Sequence, residues 1–550
     1  DAYMHASSLT GIAVASSNAY FANYHNMLFS KDGTTVIKVP AKITFGSTGL
    51  DFGSNATKVL PGALKDNEWL KKQTTLNFTS SYNVSFPKGE FKDLNITELY
   101  NINQNILESF YDLFNTSLIR SIQIQHVSNI PDGFFQGLDN LETFTITYYS
   151  FKDVTIGNSA FKNCKSLKTL TVSTKLVSIG DNAFEGCSAL TTIKNELTDS
   201  SGVDRALVKL KNIGKNAFKD CTSLTTVDSK SFQGATNLTS IGEGAFKNCT
   251  SLVSFPLPQS SNYTTIEKGL FEGCSKLTMD FYNMKTYIKE IKADAFKGTA
   301  ITSFYIPDDI DKDKVDFSAF DDTVVNLYAS STNNLKYIST NGVLYYNNFK
   351  ELIRCPAGKT GTISIKDETT TIAKDAFKNC TKVTKLITGG ITVTDSIKSG
   401  LNDVPANTFK GMTSLTNVTL GNQYLLNNYR NLFDITKVTT VAINRRITTI
   451  TASAFENATG LVSITGGVSA SSPDDASFIT SIGNNAFKGC TNLTTFFIDA
   501  ANRNLFTKLT NIGTSAFENC NKLSALYIPK SVRTMGSNAV KGCNKSMTIY

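Results

Sequence analysis

The sequence predicts a repeat solenoid, a right-handed superhelix dominated by strands with short helical or 3-10 turns. Two observations predict it: the motif I-G-x-x-A-F-x-x-C-x-x-L-x-x-I-x-I recurs along the chain, and 550 residues are far more than one compact core usually supports. Strong copies of the motif begin at Ile156, Ser178, Asn212, Ser240, Thr265, Thr371, Ser481 and Asn511.

The phenylalanine of the motif is its most regular feature, and we call it the anchor. Successive anchors are mostly 21 to 26 residues apart, as from Phe161 to Phe184. A period of this length indicates stacked supersecondary units. Weaker copies carry the anchors Phe91, Phe114, Phe135, Phe232, Phe296, Phe409 and Phe455, with Val540 in the last unit.

Each motif position has a physical reason. The last two apolar residues of L-x-x-I-x-I alternate with another residue, so they point to one face of a short strand. The A-F pair suits one turn of α- or 3-10 helix that packs its ring into the core. The glycine after the first Ile stands where the chain leaves a strand, and we expect it to need a positive φ. Because one unit cannot bury its apolar face alone, neighbouring units must stack.

A second type of segment interrupts the array. NGVLYYNNFKELIRCPAGKTGTISI starts at Asn341, and a related segment from Tyr20 retains Pro40 and Ala41. With the repeated motif, these segments resemble the BspA-like leucine-rich-repeat family over about residues 10 to 550. The resemblance implies a leucine-rich-repeat solenoid with hairpin-type units, in a secreted or surface protein of bacteria or parasitic protists.

The order of these segments predicts four parts. Residues 1–50 form an N-terminal hairpin-type cap, 51–306 a first leucine-rich-repeat array, 307–362 an irregular hairpin-type interruption, and 363–550 a second array. The stretch from about 50 to 90 fits the repeat least well.

Histidine is too scarce for most catalytic sites. The chain contains only His5, His25 and His126, and none lies in a strong repeat. A Ser-His-Asp triad or a Cys-His pair would need one of them as its base, and no two stand at zinc-ligand spacing. We therefore expect no enzyme activity, no cofactor and no metal site.

Two segments imitate ligand-binding loops. Asp309, Asp311 and Asp313 are spaced like the start of a calcium loop, but Lys314 and Phe320 stand where such a loop needs Gly and Glu. The PAGKTG stretch lacks the upstream glycine spacing of a phosphate-binding loop. We interpret both as turns, with weak adventitious cation binding as the alternative for the acidic segment.

Nine of the ten cysteines occupy one repeat position, three residues after the anchor, and Cys355 is the exception. Stacked units bring equivalent Cα atoms close enough that distance alone does not exclude a disulfide. Paired spacings within a unit and C-x-x-C motifs are missing, however. We therefore favour a ladder of small buried thiols.

Charge and hydropathy exclude two kinds of partner. A net charge of +8 over 550 residues produces only a weak electrostatic field, and no Lys/Arg block with interleaved aromatics appears. We therefore expect no nucleic-acid partner. No window contains the roughly 18 uninterrupted apolar residues of a membrane helix, so we expect no membrane span in this chain.

The residue between the last two apolar positions of each strand points away from the core. We call the surface that these residues share the strand face, and solenoids commonly bind partners there. Aromatic residues on it would anchor a partner, although aromatic residues and Thr also favour strands for structural reasons alone. The candidate binding residues are Gln123, Thr145, Thr171, Tyr305, Thr419, Phe497 and Tyr527. The insertion around 195–211 and the loop 466–478 are second candidates.

Two functions fit these features. The first is a secreted or cell-surface binding protein, adhesin-like, with an extracellular or cell-surface protein or glycan as its ligand; the family resemblance implies contact with host extracellular proteins or other cells. The second is a structural, self-associating surface scaffold that has no external ligand.

Overall fold

The computed structural model describes residues 6–46, 49–78, 84–147, 152–195, 207–227, 232–258, 260–279, 287–307, 310–329, 336–389, 400–444, 446–466, 479–496, 506 and 508–550. These residues form two compact units. The first lies within Asp1–Met279, Tyr287–Ala300 and Asp313–Ala319, and the second contains Ile301–Lys312 and Phe320–Tyr550. The predicted boundaries at residues 50, 306 and 362 remain a prediction.

The first unit begins with an antiparallel meander and continues as parallel ladders. The meander consists of Phe21–Tyr24, Met27–Ser30 and Thr35–Lys38, and Lys58–Val59 then pairs in parallel with its last strand. Ladder A comprises Thr75–Asn77, Glu98–Ile102, Ser121–Ile124, Thr143–Ile146, Thr169–Val172, Thr192–Asn195 and Thr226–Val227. Ladder B comprises Asn129–Ile130, Val154–Ile156, Leu176–Ile179, Asn212–Ile213 and Ser240–Ile241, and Thr265–Ile266 pairs with Glu290–Ile291.

The second unit repeats this plan. Ser303–Ile306 pairs in parallel with Asn326–Ala329, and a meander of Tyr337–Thr340, Val343–Tyr346 and Glu351–Arg354 then leads to Thr371–Ile372. Ladder C comprises Gly361–Ile365, Val383–Thr388, Asn417–Leu420, Thr440–Ile443, Ser463–Gly466 and Thr495–Phe496. Ladder D comprises Thr449–Ile450, Ser481–Ile482, Asn511–Ile512 and Thr534–Met535, and Ala525–Leu526 pairs with Thr548–Ile549. The leucine-rich-repeat solenoid predicted from the motif is therefore confirmed.

The A-F segments form successive turns. Lys162 N–H donates to the carbonyl of Ser159 at 3.0 Å, and Cys164 N–H donates to that of Phe161 at 3.1 Å. These are bonds of β-turns and not of a 3-10 helix, because Ser159 (φ 55°) and Asn163 (φ 62°) lie in the left-handed region. Phe161 N–H also donates to the Ala183 carbonyl of the next repeat at 2.7 Å. The turns are therefore joined from one repeat to the next, as the strands are.

The anchors stack face to face inside each unit. The rings of Phe161 and Phe184 lie 4.9 Å apart with an interplanar angle of 5°, and those of Phe487 and Phe517 lie 5.2 Å apart at 8°. Phe218 stacks directly on Phe246 at 5.2 Å, so Phe232, whose spacing in the sequence indicates a compressed or degenerate unit between them, does not belong to the anchor column. Phe232 instead packs edge-on against Phe255.

The glycine after the first Ile does not have the positive φ that we expected. Gly180 lies outside the left-handed region, but a Cβ there would stand 2.6 Å from the amide nitrogen of Asn158 in the preceding repeat. Glycine is therefore required because two backbones approach closely. The left-handed residues stand elsewhere in the motif, as at Asn182 (φ 55°) and Gly186 (φ 76°).

Each unit contains a short helix pair that the repeat motif did not predict. The pairs are Gln104–Glu108 with Phe110–Leu113, and Gln423–Asn427 with Tyr429–Leu432. Further helical segments include Glu68–Lys71 and the 3-10 turns Thr116–Leu118, Lys312–Lys314 and Phe317–Ala319.

The same local signal starts both helix pairs. The side-chain oxygens of Asn103 and Asn422 each accept a hydrogen bond at 3.1 Å, from the amides of Ile106 and Leu425 respectively. The first pair ends at the anchor Phe114, and the second ends at Phe433, a buried anchor that was not predicted.

Candidate binding surface

Three of the predicted residues lie side by side on ladder A. Gln123 is paired with Thr145, and Thr145 is paired with Thr171 on the next strand. The alternate residues of these strands are buried in the core, and Gln123 and Thr145 are half-buried on the opposite side. The parallel register therefore forms a row of amide and hydroxyl groups across three strands.

Thr171 is less accessible than we expected, with a residue exposure of 7%. Its short side chain lies between Thr145 and the longer, exposed Lys194 of the following strand. A partner that approached this end of the row would contact Lys194 before Thr171.

An ion-paired row borders the strand face where the strands of ladder A begin. The Glu142 carboxylate accepts from Arg120 Nη1 at 2.9 Å and from Lys168 Nζ at 2.7 Å, so it joins three successive repeats. The hydrogen bonds from Lys168 and Arg120 lower the pKa of Glu142. Since these groups are exposed to water, the pairs contribute little to stability.

Tyr305 has an aromatic neighbour on the strand face of the second unit. The strands Ser303–Ile306 and Asn326–Ala329 set Tyr305 beside Tyr328, and the two rings lie 5.1 Å apart at 34°. Both residues are half-buried. The pair presents a broader aromatic surface than the single tyrosine that the sequence predicted.

Tyr527 forms a second aromatic pair. Its ring is stacked on that of Tyr550 at 5.0 Å and 16°, and Tyr550 is 60% exposed. Phe497, the third predicted aromatic anchor, lies outside the described residues. Thr419 is half-buried between Ile387 and Ala442 on ladder C, so its surroundings are more apolar than those of Thr145.

A cavity of about 490 Å³ adjoins the first strand of ladder A, and sequence reasoning missed it. Its lining contains three aromatic residues, three polar residues and two glycines: Phe45, Trp69, Tyr100, Gln73, Thr75, Asn77, Gly46 and Gly49. Trp69 is the single tryptophan of the chain. The cavity therefore combines aromatic surface with a few polar groups, as ligand sites commonly do.

Asn67 holds Trp69 in place at this cavity. Its buried side chain accepts a hydrogen bond from Leu70 N–H at 2.8 Å, which starts the helix Glu68–Lys71. The same amide donates to the carbonyls of Pro40 and Ile43, at 3.0 and 2.8 Å. These bonds tie the helix to the segment that carries Phe45, whose ring lies 5.3 Å from that of Trp69.

The cysteine column is a ladder of buried thiols. Cys187 Sγ donates to the carbonyl of Phe161 at 3.1 Å, and Cys221 Sγ donates to that of Phe184 at 3.2 Å. All ten cysteines are free, and Cys543 is the one that is not fully buried. Burial raises the pKa of the Cys164 and Cys490 thiols to about 12, which suppresses their nucleophilic thiolate forms.

The residues considered for catalysis or metal binding are dispersed. His25 lies in the turn of the first meander with its ring on Tyr24 at 3.9 Å, and His126 follows the strand Ser121–Ile124 of ladder A. Asp311 forms an ion pair with Lys336 at 3.0 Å. Within the described ranges, no group of three or more His, Cys, Asp or Glu residues is placed to hold a metal ion. His5 and Asp309 lie outside them.

A family model decides what kind of repeat this is. The BspA-type leucine-rich-repeat region matches in six copies, over residues 68–191, 206–326, 355–478, 392–502 and 472–550, which together make up more than half of the chain. This chain belongs to the BspA-type leucine-rich-repeat family.

The BspA-type chain is similar in fold to several solved bacterial proteins. A leucine-rich cell surface protein from Faecalibacterium prausnitzii is 22% identical, with 64% of this chain and 87% of that chain covered and a TM-score of 0.38. A leucine-rich-repeat protein from Bacteroides ovatus is also 22% identical, with 77% and 87% covered and a TM-score of 0.31. The family assignment rests on the repeat model and not on these similarities. No curated protein matches the chain significantly.

The second candidates for binding in this BspA-type protein are the insertion 195–211 and the loop 466–478. Most of both segments lies outside the described residues. The described helices of this BspA-type protein are all too short to cross a bilayer. The one sequence signal for the cavity was the single tryptophan, in a stretch that fits the repeat poorly.

Proposed function

We propose that this chain is a non-catalytic, adhesin-like protein, secreted or at the cell surface, that binds extracellular or cell-surface macromolecules through its strand faces. The observation that supports this function best is the register of Gln123 with Thr145 and of Tyr305 with Tyr328. In each pair, half-exposed side chains of neighbouring repeats combine into a continuous surface. Extended surfaces of this kind are what solenoids use to engage large partners.

The chemistry of this surface fits a large partner better than a small substrate. Tyrosine supplies contact area at low entropic cost, and the hydroxyl and amide groups beside it can form hydrogen bonds at a polar interface. The family's secreted and surface members support an extracellular location for this chain. The raised thiol pKa values and the dispersed histidines support a non-catalytic role.

The proposal is tested on an array of purified extracellular-matrix proteins and glycans. We expect the folded chain to be retained on a limited set of spots and the heat-unfolded chain to lose that pattern. Tyr305→Ala combined with Tyr328→Ala should reduce retention at least tenfold on spots bound by the second unit, because it removes both rings of the aromatic pair.

The self-associating scaffold is the competing outcome. Size-exclusion chromatography with light scattering, over a range of protein concentrations, measures it directly. A mass that rises with concentration, together with an array that retains nothing, would replace the adhesin proposal with the scaffold.

A further inference from the structure

We propose that the cavity around Trp69 binds a neutral hexopyranose unit of a glycan. The inference rests on the proposed function in one respect, since this cavity adjoins the strand face of ladder A. It adds a defined pocket and a chemical class of ligand to that surface. The volume of about 490 Å³ falls in the range of about 300–1,000 Å³ that is usual for small-molecule sites.

Glycine makes this cavity possible. Gly49 has a φ of 91°, and a Cβ there would stand 2.6 Å from the Cβ of Asn77 and still closer to the Asn77 carbonyl oxygen. The segment that carries Phe45 can therefore come against the edge of ladder A only with glycine at this position. Its approach turns an open sheet edge into the wall of a pocket.

The same approach disfavours an extended peptide as the occupant. Leu50 N–H donates to the carbonyl of Asn77 at 2.9 Å, and Gly49 forms an antiparallel bridge with Phe78. The Asn77 carbonyl at the end of the edge strand is thereby already paired. A peptide that adds to a sheet needs such main-chain groups free.

The polar lining suits a ligand that carries hydroxyl groups. Asn77 Oδ1 accepts from Asn101 Nδ2 at 2.7 Å, and within the described residues its own amide N–H groups have no partner. Gln73 Nε2 donates to the Trp69 carbonyl at 2.9 Å, and Gln73 Oε1 accepts from no donor in the part of the chain that the structure describes. An unpaired donor and an unpaired acceptor are what the vicinal hydroxyls of a sugar ring can satisfy.

The aromatic lining suits the other side of such a ring. One face of a hexopyranose presents C–H groups, and the side chains of Trp69 and Tyr100 offer flat apolar surface with a polar end. None of the lining residues that the structure describes is charged. A neutral sugar therefore matches the pocket better than a phosphate or a carboxylate, since the Glu98 carboxylate accepts from the lining hydroxyls of Thr75 and Tyr100 at 3.2 and 3.4 Å.

The single tryptophan makes the test specific to this cavity. Full-length chain is produced in a bacterial host without N-glycosylation, because Asn77 begins an N-F-T sequon. The protein is titrated separately with galactose, N-acetylglucosamine and glucose while tryptophan fluorescence is followed. We expect a saturable change with at least one of these sugars.

Variants separate the pocket from general effects. Asn77→Ala and Tyr100→Ala should each weaken the binding at least tenfold while far-UV circular dichroism stays unchanged. Tyr20→Ala, at a tyrosine that is 78% exposed and lies outside both candidate sites, should leave the titration unchanged. If a variant fails to fold, the titration of the wild-type chain is decisive by itself.

Two results would overturn the inference. One is that none of the three sugars produces a saturable change in the tryptophan fluorescence of the folded wild-type chain. This result overturns the inference even if a neutral peptide does produce such a change. The other is a change that persists undiminished in both Asn77→Ala and Tyr100→Ala. Retention of the chain on matrix-protein spots in either case would leave the proposed function standing and remove only the glycan site.

Discussion

The thiol of Cys187 donates a hydrogen bond to the main-chain carbonyl of Phe161, one repeat earlier, at 3.1 Å. The same bond recurs between Cys490 and Phe455 in the second unit, at 3.0 Å. In the repeats that carry a cysteine, its constant spacing from the anchor places a second, small donor beside a carbonyl that already accepts an amide N–H within its own turn. The column has a packing role, and each thiol satisfies a buried acceptor.

Removing one thiol should loosen the stack locally. We expect Cys187→Ala to cost roughly 1–2 kcal/mol, since it leaves a small void and removes one of the two donors to the Phe161 carbonyl, the other being Cys164 N–H. The free energy of local opening, measured by hydrogen exchange at the amides of Phe161 and Phe184, reports this cost. Cys543→Ala, at a half-buried thiol that bonds Phe517 at 3.1 Å, is the matched control and should cost less. Equal costs at both sites would contradict this view.

The thiols should resist alkylation in the folded protein. With a pKa of about 12 at Cys164 and Cys490, roughly one thiol in ten thousand is ionised at about pH 8, and burial also blocks access. Iodoacetamide labelling followed by peptide mass spectrometry should find Cys543 modified first and the buried thiols modified only in denaturant. Rapid labelling of Cys164 in the native chain would show that the ladder is open.

Two glycines in one repeat should respond differently to substitution. Gly180→Ala places a Cβ 2.6 Å from the backbone of the preceding repeat, and we expect a cost of about 3 kcal/mol because the backbones must move apart. Gly186→Asn should cost less, about 1 kcal/mol, because Asn163 has the same left-handed conformation one repeat earlier and the atom that the new Cβ would crowd is the movable Oδ1 of Asn163. Thermal unfolding of the two variants measures the difference. The opposite ranking would contradict close approach as the reason for Gly180.

Glu90 should make stability depend on pH. Burial raises the pKa of this carboxyl, against the lowering effect of the Leu64 and Gly62 amides and of Lys38. Because the folded state holds the proton more tightly than the unfolded state, Glu90 stabilises the fold at low pH. That contribution is lost as the pH rises through the raised pKa.

Glu90→Gln should therefore be more stable than the wild type at about pH 7, with a difference that shrinks towards about pH 4. Thermal midpoints at the two pH values measure this. Glu108→Gln, at an exposed carboxylate, is the control and should show no such trend. A destabilised Glu90→Gln at both pH values would mean that the carboxylate is better satisfied than its burial suggests.

The sequence predicted what depends on the period and missed what depends on close contact between repeats. Alternation around Gln123 and Tyr305 correctly placed them on the side away from the core, because strand periodicity is a local property. The role of Gly180 could not be read in the same way, since its neighbour Asn158 belongs to another repeat. The sequence predicted an exposed Thr171 because the strand register, which sets the longer Lys194 side chain beside it, is not visible in the sequence.

The cavity and the helix pairs show two further limits. Trp69, Phe45 and Tyr100 come from three separate segments, and only the bonds of Asn67 and the approach of Gly49 bring these segments together. The helix pairs did carry a local signal, an asparagine cap followed by apolar residues, but that signal differs from the dominant motif.

The central claim is that this protein binds an extracellular or cell-surface macromolecule through its strand face. The most direct test uses the array spots that retain the wild-type chain. It compares the retention of the wild type there with that of the double variant Gln123→Ala with Thr145→Ala. The matched control is Thr155→Ala combined with Ser178→Ala, which alters a registered pair on ladder B instead. We predict that the ladder A double variant loses at least tenfold in retention on the spots that bind the wild type through the first unit. The ladder B double variant should lose none. Equal retention of both double variants on every spot would contradict binding through the strand face.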